Sequence, residues 1–177
     1  MTGAESVPAE RRTFPALRGR LERPSPRRRQ RRALAEVPAD VVPGRSWEIA
    51  VPEGVKLLNS NARMHWRKAA GQTAAIRREV AAAARSMRLP PLLWAHVVYR
   101  VHPGPRTTRF DPGNWSPTAK AAVDGLVDAG VLPDDNSSRL RGPDPRPGER
   151  CAQAGGRVVL VLTELRPAPI PEESSVP

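Results

Sequence analysis

Two stretches of this 177-residue chain, PLLWAHVVYRVH (91–102) and RVVLVLTEL (157–165), are apolar and rich in β-branched residues, and each is bounded by a Pro- or Gly-containing segment. Runs of that kind are strands, and the first reads as a central one closed by Pro103-Gly104-Pro105. SWEIAV (46–51) alternates apolar and polar as a half-buried strand does, and Pro52-Glu53-Gly54 ends it. Helical patterns separate the strands. Ala69, Thr73, Ile76, Val80, Ala83, Ala84 and Met87 recur at helical spacing, which predicts a long helix over about 63–88, with Asn59, Ser60 and Asn61 upstream as competent caps. Its other side carries Arg67, Lys68, Arg77, Arg78 and Arg85. A second helix starts at Ser116-Pro117, stops at Gly130, and has Ala119, Ala122, Val123, Leu126 and Val127 as its apolar stripe. Residues 136–141 suggest a short strand, and GPDPRPGERCAQAGG a turn-rich loop. The order β-α-β-α-β-β predicts an α/β domain, a mixed sheet with two main helices.

That domain is bounded at 46–165. Residues 1–45 are rich in Arg and Pro and have no lasting apolar period, so a disordered basic arm is expected there; 166–177 is expected to be a disordered Pro-rich tail. The formal charge is +11, from 29 Lys and Arg against 18 Asp and Glu. A polyanion is the partner such a balance favours, and the arm carries about half the excess. The single cysteine, Cys151, excludes an intramolecular disulfide and a Cys-rich metal site, which favours the cytoplasm. No run is long and apolar enough for a membrane span, and the N-terminal residues lack the apolar core of a signal peptide.

The stretch RFDPGNWSPTAKAAVDGLVDAGVLPDDN (109–136) carries the chemistry. Lys120, Asp124 and Asp128 share the helix face opposite the apolar stripe. Asp111 precedes the helix and Asp134-Asp135 follows it, about 20 Å away if both loops stayed at their own ends. They meet only if the chain after the helix runs back along it and carries its carboxylate toward Lys120. Clustered carboxylates with one lysine suit a hydrated Mg²⁺ beside a phosphate, the ammonium group steadying developing charge. The same residues also serve as ordinary caps, turn formers and a surface i,i+4 pair. His65, His96 and His102 have no ligand spacing. Trp66 is expected to anchor the first helix to the core, while Trp115 either stacks on an unpaired base or covers the second helix's start.

The run R-x-D-P-x-N…P-T-x-K-A-x-x-D-G-L-x-D-A-G-V-x-x-D-D, from Arg109 to Asp135, resembles the RusA family of Holliday-junction resolvases. LLNSNARMHWRKAA (57–70) is similar to that family's early turn into its first helix. The resemblance implies a Mg²⁺-dependent endonuclease that nicks branched DNA, the four-way junction of recombination and repair, as a homodimer. It implies Asp111 and Asp135 as metal-binding aspartates with Asp134 assisting, Lys120 as the catalytic lysine, and Arg67, Lys68, Arg109 and Asn114 as DNA contacts. One position departs: Gly113 stands where the family has a second aspartate. The alternatives are a non-catalytic protein that binds branched or duplex DNA with a degraded metal site, and a small basic RNA-binding protein.

Overall fold

The computed structural model describes residues 37–108 and 110–169; most of the expected arm, Arg109 and most of the tail lie outside them. Strand β1 (Val41–Ala50) is followed by helix α1 (Trp66–Ser86), strand β2 (Ala95–His102), a 3₁₀ turn (Pro112–Trp115), helix α2 (Ser116–Asp128) and strands β3 (Leu140–Pro147) and β4 (Arg157–Pro167). The sheet order is β1-β4-β2-β3, with β4 antiparallel to both its neighbours and β2 parallel to β3. This is the mixed sheet with two helices that the residue pattern predicts. Each helix is a crossover between parallel strands, and both crossovers step across the sheet in the same direction. Right-handed connections then put both helices on one face.

Along β2, Ala95, Val97, Tyr99 and Val101 are buried, whereas His96, Val98, Arg100 and His102 are half-buried. The buried set meets Ile76, Val80 and Ala84 of α1 and Ala119, Ala122, Val123 and Leu126 of α2 in a single core. The two helices approach closely at Gly125, where a Cβ would stand 2.5 Å from the Arg77 carbonyl oxygen. Glycine is required there by that contact. Part of α1's basic side is consumed by the same interface: Arg77 makes a two-pronged ion pair with Asp128, and Arg85 Nη2 donates to the Asp128 carbonyl at 2.6 Å.

Three boundaries differ from the sequence expectation. β1 begins at Val41, inside the segment assigned to the arm, because Val41 and Val42 pair with Pro167 and Arg166, which were assigned to the tail. The first helix is capped by His65, whose Nδ1 accepts the Arg67 N–H at 3.3 Å, while Asn59 closes its own turn by accepting from Asn61 N–H at 2.9 Å. The third difference is the largest: β3 runs through GPDPRP, a segment expected to be loop. Pro143, Pro145 and Pro147 recur with period two, so their missing N–H groups all fall on the same side of the strand. That side is the outer edge of the sheet, since Gly148 N–H, in step with the residues between the prolines, donates to Val101 of β2 at 2.8 Å. Gly142 enters this strand with φ +87, and a Cβ there would meet the Val97 carbonyl oxygen at 2.3 Å, so no other residue fits. Among the described residues no helix is long and apolar enough to cross a membrane.

Candidate functional site

Asp111 starts the site. Its Oδ1 accepts the Gly113 N–H at 2.9 Å and its carbonyl accepts Asn114 N–H at 3.0 Å, which winds Pro112–Trp115 into a 3₁₀ turn leading directly into α2. Phe110 and Trp115 meet edge to face, centroids 6.3 Å apart, and pack against the core. Of the two uses open to Trp115, covering the start of α2 is the one its half-buried ring fits. A shallow surface depression of ≈ 590 Å³ lies beside the turn, lined by Thr108, Phe110, Asp111 and Asn114.

The turn is braced by the loop before α1. Ser60 N–H donates to the Asn114 carbonyl at 2.8 Å, and Ser60 Oγ reaches Asn114 Oδ1 at 3.5 Å. Below it, Thr118 is fully buried, its Oγ1 accepting from Leu58 N–H at 2.7 Å and donating to the Leu58 carbonyl at 2.8 Å. One threonine thus pairs with the loop backbone as a strand neighbour would. Thr118 reads in the sequence as an ordinary first-turn helix residue, and nothing local singles it out.

After α2 the chain reverses. Val131 N–H donates to the Leu126 carbonyl at 3.0 Å, the Val131 carbonyl accepts from Leu92 N–H at 2.8 Å, and buried Val131 and Leu132 hold the returning segment on the core. Asp135 is thereby carried back to Lys120, fifteen residues earlier, and the two form an ion pair. Lys120 Nζ also contacts Asp124 Oδ1 at 2.6 Å. Asp134 shapes the turn itself: Oδ1 accepts Asp135 N–H at 2.7 Å and Oδ2 accepts Asn136 Nδ2 at 2.6 Å.

The charges respond to these contacts. The hydrogen bonds to Asp124 and then Asp135 push the Lys120 ammonium above its ordinary pKa, and Lys120 holds Asp135 below the usual carboxylate range. Tyr99 is pushed up by burial and, after that, by the negative charges of Asp111 and Asp144. The turn that begins at Asp111 packs against β2 and the edge strand β3.

The structure joins Lys120 to Asp135 and forms the Lys120–Asp124 pair that their i,i+4 spacing allows. Asp111 is on the exposed turn at the start of the same helix, and no hydrogen bond or ion pair links it to Lys120 or Asp135 among the described residues. Nor, among those residues, do three or more His, Cys, Asp or Glu side chains gather as a metal-holding group. The donors available to a cation are thus exposed Asp111 and Asp135, whose side chain is 29% exposed. Two carboxylates, one of them already paired with Lys120, are fewer oxygen ligands than a cation site built by protein alone would need. Arg67 and Lys68 are exposed at the first turn of α1, and Arg109 lies outside the described residues.

Trp66 overturns its expected role. It is 68% exposed although it stands in line with buried Val80 and Ala84, because burial along α1 begins only at Ile76, so it anchors nothing in the core. His96 and Asp144 form another contact unmarked in the sequence, Nε2 to Oδ2 at 2.7 Å across the β2–β3 pair. It exists only because GPDPRP is a strand. No protein-family model matches the chain, and no curated protein does.

Proposed function

We propose that this chain is a RusA-like, structure-selective endonuclease that hydrolyses phosphodiesters of branched DNA with Mg²⁺, acting as a homodimer in the cytoplasm. The observation that supports this most is the Lys120–Asp135 pair, made across fifteen residues by a reversal of the chain. A surface lysine needing only a counter-charge already has Asp124 one helical turn away. The reversal adds a second carboxylate beside the same ammonium group.

Asp111, Asp124, Asp134 and Asp135 outnumber the local cations, so a phosphate approaching this rim is repelled unless a divalent cation stands between. Asp111 and Asp135 would hold that cation. Mg²⁺, when bound, would polarise a phosphoryl oxygen and make a water more acidic. In hydrolysis the water oxygen bonds to phosphorus, one P–O ester bond breaks, and the departing oxygen takes up a proton. Lys120, cationic at neutral pH as an ordinary lysine is, offsets the negative charge that builds on the phosphate. Asp134 positions Asp135 through its backbone N–H. Arg67, Lys68, Arg109 and Asn114 contact the DNA backbone.

A second reading, a non-catalytic binder of branched DNA, draws on Gly113 and on the absence of a three-carboxylate group among the described residues. A labelled synthetic four-way junction incubated with the purified chain decides between them. Endonuclease activity predicts paired nicks with Mg²⁺ and none with EDTA; binding without nicks in any divalent cation would leave the binder.

A further inference from the structure

We infer that the corner at the start of α1 is a stacking platform for an unpaired nucleobase, with Trp66 as the ring and Arg63, Arg67 and Lys68 as contacts for the flanking phosphates. It rests on the nucleic-acid reading above but not on cleavage. Tryptophan is the side chain with the most apolar surface to hide, and this one is 68% exposed at the first turn of a helix whose burial begins only at Ile76. Its ring neighbours are polar and cationic: His65 stacks at 5.8 Å between centroids with planes 28° apart, and the Arg67 guanidinium carbon stands over the indole at 5.1 Å. His65 is itself fixed as the helix cap, so the arrangement exists before any ligand arrives.

The chemistry around the ring selects the occupant. Asn61, Arg63, His65, Arg67 and Lys68 are all exposed, leaving no apolar patch of the kind a protein partner or bilayer would cover. From Gly54 to Arg78 there is no Asp or Glu. Arg63, Arg67 and Lys68 have no ion-pair partner among the described residues, in contrast to Arg77 and Arg78. An exposed indole with the Arg67 guanidinium over it, and Arg63 and Lys68 within three residues in sequence, matches a base flanked by phosphates, and stacking of this sort accepts any base. The platform is also within reach of the Asp111 turn. Ser60, hydrogen-bonded to Asn114, precedes Trp66 by six residues, a span of at most about 20 Å. A strand splayed from a branch point at Asp111 can therefore lay a base on Trp66.

The test is fluorescence anisotropy in EDTA, with a labelled oligo(dT) of about ten nucleotides and a duplex of equal phosphate count as probes. Trp66→Ala should weaken oligo(dT) binding at least about fivefold and leave duplex affinity within about twofold, and Trp66→Tyr should restore most of the loss. Because Trp66 is exposed, both variants should keep the wild-type melting profile. Oligo(dT) binding that is absent in the wild type, unchanged in Trp66→Ala, or weakened no more than duplex binding would overturn the platform. Junction cleavage, assayed in parallel, separates the two ideas. Trp66-dependent oligo(dT) binding without cleavage removes the nuclease and keeps the platform, whereas cleavage with Trp66-independent binding does the reverse.

Discussion

The rim of α2 and the corner of α1 are both polar, charged and solvent-facing, yet they are built in opposite ways. On the rim each cation has an acidic partner: Lys120 has Asp124 and Asp135, and Arg77 has Asp128. At the corner Arg67 stands over the ring, and Arg63, Arg67 and Lys68 form no ion pair among the described residues. A ligand for the rim has to compete with contacts already made, so it must be small, highly charged and specific in geometry. At the corner no ion pair has to be broken, only the Arg67 and His65 contacts with the indole shared, which suits a generic, flat, anionic partner. Selectivity for chemistry and tolerance for sequence are thus assigned to different surfaces, joined through Ser60–Asn114 and Thr118–Leu58.

The sharpest way to break this contrast is at the rim. Asp111→Asn keeps a side-chain oxygen to accept from Gly113 N–H, so the turn should survive, but a metal-binding charge is gone. Junction cleavage should fall at least about 100-fold, roughly 3 kcal/mol of transition-state stabilisation, with junction binding retained or tightened. A cutting Asp111→Asn protein would remove Asp111 from the site.

Next in size is the joint between the two regions. Thr118→Val leaves the buried Leu58 N–H and carbonyl without their partner, which should cost about 2–3 kcal/mol in urea unfolding, while Thr118→Ser should stay within about 1 kcal/mol of wild type. Equal losses in the two variants would mean that the methyl group, and not the hydroxyl, holds the loop.

Acid and alkali probe the Lys120–Asp135 pair of the rim. Asp135 has a lowered pKa, so its contribution is present above the ordinary carboxylate range and is lost as pH falls through the folded value, below about 4. Lys120 has a raised pKa, so its contribution is complete below about 10.4 and is lost as pH rises through the folded value. Lys120 is 58% exposed, and a solvent-screened pair of this kind is worth only about 0.5 kcal/mol. Lys120→Met should flatten the stability profile at both ends by that amount, whereas Trp66→Ala should not alter its shape. Unfolding midpoints measured across pH would show it.

A comparably small effect is expected at Gly113. It has no positive φ, and a Cβ there would sit 3.2 Å from Asp111 Oδ1, close enough to need a slight shift of that carboxylate. Gly113→Asp adds an anionic oxygen beside Asp111, so Mg²⁺ affinity by titration calorimetry should rise about two- to fivefold. No change in a folded variant would mean that Gly113 is not at a ligand position.

Much of this was legible in the residues because it is local. The order of elements, the Ser116-Pro117 start and Gly130 stop of α2, the Asp111 turn and the placement of Lys120 one helical turn from Asp124 depend on backbone preferences and helical period, which act over a few residues. The direction of the chain after α2 was half legible: the motif demanded a reversal to bring Asp135 to Lys120, but the reversal itself is made by Val131 and Leu132 finding the core. Three features belonged to the tertiary structure alone. GPDPRP is a strand because an edge position asks nothing of three proline nitrogens; Thr118 is a clamp because a loop sixty residues away lies against it; and Trp66, in line with Val80 and Ala84 along the helix, is exposed because the buried part of α1 begins only at Ile76. Composition and period are written into neighbouring residues, whereas pairing partners and exposure are set by what the folded chain brings opposite them.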